Sequence, residues 1–337
     1  MGRVRCTLLN KETLAGIAAD LRAGKPVELA AEDFPCFSAE ALKGNGHVMP
    51  DDLGKLSAAL TAADAPVFER AARAIEEDDL AWLGFKVVWD AAAAQANTDN
   101  EVTKKYGDVG SADGAGMVFF CNDAKEIVSA RTPSPRDVFQ MKDVTRGPSM
   151  HNEQFEGLTW LSVPLFDQVR VWLLGASDAA AEVSALAAHV GFAVTAVDYD
   201  PAYLSPERFP DAKRVLLEGG NFDGLAALTP APADYVCVLT RGHMFDPESC
   251  VWATRHGVHY VGMMGCKGKN STVHDLVLAR GATEADWERI KRPIGLKFGA
   301  KTPAELAIAI VAELVDVRYK QRYSAEAQAR HEVSLGR

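Results

Sequence analysis

The sequence predicts an α/β protein whose C-terminal half is a doubly wound parallel, Rossmann-like sheet, preceded by a separate α+β N-terminal domain. Three observations predict it. From Val169 onward, short uninterrupted apolar strands alternate with helical segments, as in a parallel sheet covered on both faces. The 337 residues suit two domains at roughly 100–200 residues each. Residues 1–165 lack the alternation and mix helical with hairpin patterns. The expected division is a domain over 1–160, a Rossmann-like domain over 168–320 and a polar tail over 321–337.

In the first half, Glu12 to Ala23 and Ser57 to Glu77 read as helices and Trp82 to Asp90 as a strand. Ala94 to Ser111 is polar and reads as loop. Met117 to Cys121 and Glu126 to Ser129 form a hairpin pattern around Asn122-Asp123, and Pro133 to Glu156 reads as a domain linker. In the second half, Val169 to Leu174 is a strand ending at Gly175. Ala-rich Asp178 to Val190 is a helix with Gly191 at its stop. Phe192 to Val197 is a strand ending at Asp198, followed by strands at Arg214 to Leu217, Tyr235 to Leu239 and Val258 to Met264. Thr302-Pro303-Ala304-Glu305 is a capping box with Pro at the first helical position. Leu306, Ile310, Val311, Leu314, Val315 and Val317 then carry an apolar stripe along the last helix.

The composition, 48% hydrophobic and 24% charged, excludes disordered, collagen-like and coiled-coil chains. With 46 acidic against 36 basic residues the formal charge is −10, which repels nucleic-acid backbones and anionic lipids. An anionic ligand then needs a local basic pocket. No apolar run is long enough to span a bilayer, and Met1 to Ala15 is polar apart from Leu8-Leu9, so no signal peptide is expected. The six cysteines are scattered without a C-x-x-C pair, which argues against a zinc finger and for a reducing cytoplasm.

Three turns could carry chemistry. Gly175-Ala176-Ser177-Asp178-Ala179-Ala180 stands where a dinucleotide fold places its glycine fingerprint, and Asp198 stands where a ribose diol is held. Ser177 replaces the glycine that lets backbone approach a pyrophosphate, and Asp178 brings a carboxylate to a helix N-terminus. A helix cap by Ser177 or Asp178 and a bound nucleotide both remain open there. The second turn, Thr240 to Asp246, offers Arg241 and His243 at the carboxyl end of a strand, with Asp246-Pro247-Glu248 reading as a helix N-cap. The third, Gly262 to Thr272, places Gly265, Cys266, Lys267 and Lys269 before a helix. It suits an anion such as phosphate, or is a solvated basic loop; it is not a Walker A loop. An exposed Cys266 beside two lysines would be a more acidic thiol with nucleophilic or metal-binding character. No HExxH, GxSxG, paired-carboxylate or Ser/His/Asp signature is present.

The C-terminal half resembles the xanthine dehydrogenase accessory proteins of the XdhC/CoxI type. The stretches that carry the resemblance are Val171 to Ala176, Gly191 to Asp198, Arg208 to Ala212 and Thr240 to His243. Tyr260-Val261-Gly262-Met263-Met264-Gly265 follows, then Pro293-Ile294-Gly295-Leu296 and Gly299-Ala300-Lys301-Thr302-Pro303-Ala304-Glu305. The resemblance implies a cytoplasmic, self-associating maturation factor. Such a factor binds molybdenum cofactor (molybdopterin) and delivers it, sulfurated, to an apo molybdenum hydroxylase of the xanthine dehydrogenase type. It implies a chaperone more than a turnover enzyme, a homodimer, and a cysteine desulfurase as a further partner. Gly175, Ala176, Ser177, Asp198, Arg241, His243, Gly265, Cys266, Lys267 and Lys269 would then surround the cofactor.

Two departures qualify the resemblance. The family's turn reads G-A-G-H where this chain has Gly175-Ala176-Ser177-Asp178. The family's N-terminal domain carries S-x-P-R-x-x-G-A-x-M, resembled by Gly110 to Met117, and then G-G-C-x-E. The second motif falls near Ser129 to Ser134, where this chain has no cysteine, leaving Cys121 or Cys266 as substitutes. Residues 31–110 match nothing in the family. Two rival readings are an NAD(P)-dependent oxidoreductase, with Asp198 on the ribose and His243 as proton donor, and a diverged scaffold that only binds proteins.

Overall fold

A computed structural model of the chain describes residues 9–30, 33–37, 48, 51–96, 116–143, 157–265 and 267–323. The chain divides between Asp167 and Gln168 into two compact units. The family-like Gly110–Met117 segment lies almost wholly outside the described residues, as does the 324–337 tail.

The first unit begins with α1 (Lys11–Arg22), whose N-cap Asn10 accepts from the Thr13 amide at 2.7 Å. The single helix expected over Ser57 to Glu77 is two, α2 (Asp51–Ala59) and α3 (Ala65–Glu77). The break is local: the Thr61 and Asp64 side chains cap each other's backbone, and Pro66 enters the first turn of α3. Then come β1 (Ala81–Val88), α4 (Ala91–Ala96), β2 (Met117–Asn122), β3 (Ile127–Ser129), α5 (Pro135–Asp143) and β4 (Leu158–Pro164). The strands pair antiparallel in the order β3-β2-β1-β4. Alternation sends Leu83, Phe85 and Val87 into a core with Leu14, Phe68 and Ala71 of α1 and α3. Trp82, Phe119, Cys121 and Trp160 form a second core with Met141 of α5 on the other face.

That helix corrects the first part of the linker expected over Pro133 to Glu156, and residues 144–156 lie outside the described residues. Ser134 Oγ accepts from the Asp137 amide at 3.1 Å and starts α5, and Asp137 Oδ1 accepts from Lys86 Nζ at 2.9 Å. Both side chains of the ion pair are buried, at 0% and 3% exposure. A proline- and charge-rich stretch reads as linker because a buried partner on a distant strand leaves no local trace.

The second unit supplies the parallel sheet that the alternation predicts. It runs β5 (Arg170–Leu174), α6 (Asp178–His189), β6 (Ala193–Asp198), β7 (Lys213–Leu216), β8 (Tyr235–Val238), α7 (Asp246–Arg255) and β9 (Tyr260–Met263). It ends with α8 (Lys267–Ala279), α9 (Glu284–Arg289), β10 (Ile290–Lys291) and α10 (Pro303–Arg322), the last opened by the expected capping box of Thr302 and Glu305. Strand order is β10-β9-β8-β5-β6-β7, all parallel, so the order reverses between β5 and β8. Val171, Leu173 and Ala196 pack under α6 and α10, while Trp172, Leu174 and Val197 pack with residues of α7 and α8. Both faces are buried, which is why these strands read as continuous apolar runs. No helix among the described residues is long and apolar enough to cross a membrane.

Replacing Asp137 with Ala removes the carboxylate that accepts from the buried Lys86 ammonium at 2.9 Å. The variant is expected to lose about 3–5 kcal/mol of stability in denaturant titration. The double variant Lys86→Met/Asp137→Leu removes both charges and should recover most of that loss.

Candidate functional site

In an open parallel sheet, ligands sit outside the carboxyl ends of the strands where the strand order reverses, here between β5 and β8. The turn after β5 is drawn tight against the end of β8. Gly175 has φ +106°, and a Cβ there would stand 2.5 Å from Thr240 Cα and 2.6 Å from the Leu239 carbonyl oxygen. Only glycine fits this approach. Ser177 is the helix cap: its Oγ accepts from the Ala180 amide at 3.2 Å, which decides the cap in favour of Ser177 over Asp178. Asp178 instead extends to the surface and accepts from Arg208 at 2.7 Å.

Asp198, at the end of β6, is 1% exposed. Its Oδ2 accepts from the Ala176 amide at 2.7 Å, and its Oδ1 accepts from the Asp200 amide at 2.9 Å and from Arg241 at 3.0 Å. The carboxylate that the sequence placed on a ribose is thus committed to the protein's own turns. Arg241 also donates to Asp200 at 3.3 Å and stacks over the Tyr203 ring, 3.6 Å from its centroid. Burial alone would lower the Arg241 guanidinium, but the charge of Asp198 and the hydrogen bond of Asp200 raise it above its ordinary value. Arg208 lies 5.4 Å from the same ring and donates to the Ala176 carbonyl at 3.0 Å.

His243 follows in a turn where Gly242 and His243 both take the left-handed conformation, at φ +64° and +63°. Its Nδ1 lies 2.7 Å from Asp246 Oδ2, and Thr240 Oγ1 donates to Asp246 Oδ1 at 2.5 Å. Asp246 is therefore the first residue of α7 and a partner of the site residues. The N-cap position expected for it belongs to Phe245, which makes no side-chain cap bond.

The third turn follows β9. Its helix starts earlier than the sequence suggests: Lys267 and Lys269 lie in the first turn of α8, and their side chains fall outside the described residues, as does Cys266. Gly265 packs closely, since a Cβ there would stand 2.5 Å from Asn270 Oδ1, a buried oxygen with no hydrogen-bond partner among the described residues.

The described cysteines do not suit ligand work. Burial pushes the Cys36 thiol up to about 12 and the Cys121 thiol up to about 11, and raises Cys237 and Cys250 further. This corrects the expectation that Cys121 could stand in for the family's cysteine: it lies on β2 inside the second core of its unit. No cluster of three or more His, Cys, Asp or Glu among the described residues could hold a metal ion.

Residues 171–314 match the family model described as the XdhC Rossmann domain. The C-terminal unit is similar to the XdhC Rossmann domain over those residues. Two curated relatives match the chain. One, named as a probable xanthine dehydrogenase subunit of Bacillus subtilis (strain 168), is 27% identical over 180 residues, 53% of this chain and 52% of that protein. The other, the uncharacterised protein YqeB of Escherichia coli (strain K12), is 26% identical over 149 residues, 44% of this chain and 27% of that protein. The chain thus spans about half, or less, of the length of the curated relatives it matches. A solved structure described as a xanthine dehydrogenase from Bacillus halodurans aligns with TM-score 0.43 at 18% identity, over 78% of this chain and 68% of that one.

Within the matched residues, the recognisable stretches divide by role. The Tyr260–Gly265 and Pro293–Leu296 stretches serve packing. A Cβ on Gly262 would stand 2.5 Å from both Ile294 Cδ1 and the Tyr260 hydroxyl. That hydroxyl donates to buried Glu313, which also accepts from the Gly295 amide at 3.1 Å. The Thr240–His243 stretch lies at the carboxyl edge of the sheet, where Arg241 meets Asp198 and Arg208 meets Ala176. The sequence reading missed Arg208, Asp200, Tyr203 and the partnership of Asp246, because none follows a local spacing rule.

Gly175→Ala should lower the stability of this domain by at least about 2 kcal/mol in thermal melts, since the clash is with backbone and the φ is unfavourable. Mass mapping of native protein at pH 8 with a thiol reagent should leave Cys36, Cys121, Cys237 and Cys250 unmodified. All four should react once the chain is unfolded.

Proposed function

We propose that this chain is an accessory protein to a molybdenum hydroxylase of the xanthine dehydrogenase type. It binds molybdenum cofactor at the carboxyl-edge crevice of its XdhC Rossmann domain and hands it to the apo enzyme. The observation that carries this reading is the domain match over 171–314, on a carboxyl edge where Asp198 is bound to the protein's own turns. The name of the Bacillus subtilis relative points to the same client class.

The crevice residues fit the organic part of such a cofactor. Arg208 and Arg241, each paired with a carboxylate, stand beside the β5–β8 reversal, and Lys267 and Lys269, in the first turn of α8, are assigned to a phosphate. Asn270 Oδ1, beside Gly265, is an acceptor lacking a donor among the described residues. For the molybdenum end, the described thiols are buried and protonated, which leaves Cys266 as the sulfur nearest these residues in sequence. Bound, the cofactor supplies the redox and sulfur chemistry that the client uses. The protein's share is to hold the phosphate, shield the ring and release both. The setting is a cytoplasm, with a homodimer and a sulfur-supplying desulfurase as working partners.

The oxidoreductase reading draws no support from the crevice, because Asp198 is saturated with donors and Ser177 is engaged in the helix cap. Anaerobic titration with purified molybdenum cofactor should give stoichiometric binding. Lys267→Ala/Lys269→Ala should weaken it by about tenfold or more, the loss of roughly one charge-assisted contact. Absence of binding at micromolar concentration overturns the reading.

A further inference from the structure

Three features of His243 come together at the crevice. Its backbone is left-handed at φ +63°, a conformation that costs a non-glycine residue energy and that persists where the surroundings enforce it. Its Nδ1 is held by Asp246 Oδ2 at 2.7 Å, and that carboxylate is held in turn by Thr240 at 2.5 Å. Its side chain keeps 23% exposure while Asp246 has 1%, and Nε2 has no hydrogen-bond partner among the described residues.

The order of donors fixes the proton. The Thr240 hydroxyl donates to Asp246, whose place in the first turn of α7 favours a negative charge. An ionised Asp246 accepts Nδ1–H and leaves the Nε2 lone pair pointing away from the pair. On the same turn Arg241 carries its own carboxylate partners, Asp198 at 3.0 Å and Asp200 at 3.3 Å.

We propose that His243 is a proton-accepting residue of the crevice, with Asp246 and Thr240 as its positioning residues. Its ligand presents a weakly acidic N–H, O–H or S–H group to Nε2. The X–H bond breaks with its electron pair left on X, an Nε2–H bond forms, and Asp246 balances the imidazolium charge without taking the proton. Release of the ligand reverses both changes. Identifying that ligand as the molybdenum cofactor rests on the function proposed above; the proton-accepting state of His243 does not.

Long-range nitrogen–proton NMR on the full chain, without ligand, should show His243 protonated at Nδ1 and bare at Nε2. Diethyl pyrocarbonate, which acylates bare imidazole nitrogen, should modify His243, and Asp246→Asn should slow this at least tenfold by turning the tautomer. Thr240→Val should slow it less. Calorimetric cofactor titrations in two buffers of different ionisation enthalpy should show no net proton exchange for the unmodified chain, because the proton passes from X to Nε2, and His243→Asn, which offers no acceptor for it, should bind at least tenfold more weakly. Asn suits the left-handed backbone, so this variant keeps the turn. An Nε2–H tautomer, an acylation rate indifferent to Asp246, or undiminished cofactor affinity of the His243→Asn variant overturns the proposal. If the cofactor fails to bind the unmodified chain, the cofactor reading falls, and the tautomer and acylation still decide the base.

Discussion

The carboxyl edge of the parallel sheet depends on one buried carboxylate. Asp198 ties the turn after β5 through the Ala176 amide, its own loop through the Asp200 amide and the turn after β8 through Arg241. An ionised carboxylate out of water is tolerated only when its lone pairs are used, and three donors use them. Removing Asp198 would release three turns at once. Everything that faces the strand reversal, including the stacked Arg241 and Tyr203 and the His243 turn, is placed by this connection.

The same connection explains how a degraded glycine fingerprint survives in a well-formed fold. In a dinucleotide site the acidic residue after the second strand stays available for a sugar, and the second glycine leaves room for a pyrophosphate. Here Asp198 closes back onto the first turn, and Ser177 is free to become a cap because nothing needs to approach it. Asp178, awkward for a phosphate at a helix N-terminus, is neutralised by Arg208 at 2.7 Å. The substitutions are mutually consistent, which marks a turn whose task has changed while its geometry has not.

Much of the C-terminal domain was legible because its signals are local. Apolar runs from Val171 and Val194 gave the strands, Gly191 the end of α6, and Thr302 with Glu305 the start of α10. The N-terminal unit was legible only in pieces. Its hairpin was readable from Met117 to Ser129, but α5 was hidden because its anchor, Lys86, lies 51 residues away in sequence. In the crevice, the sequence found Arg241 and His243 by their place after a strand. It misplaced Asp246, since a carboxylate before Pro247 looks like a cap until its bonds to Thr240 and His243 are seen. Ion pairs and stacks formed across 30 to 50 residues, such as Arg208 with Asp178 or Arg241 with Asp198, obey no spacing rule.

That division bears on what similarity in this domain means. Gly262, Tyr260, Ile294, Gly295 and Glu313 interlock so tightly that a single added Cβ on Gly262 would meet two neighbours at 2.5 Å. Such a knot fixes residue identity for packing reasons, whatever ligand the domain serves. The Thr240–His243 turn carries a different constraint. Nothing in the core requires an imidazole there, the backbone pays for it with a left-handed residue, and the Nδ1 side is anchored while the Nε2 side is open. Likeness in the first group therefore speaks for the fold, and likeness in the second for the chemistry.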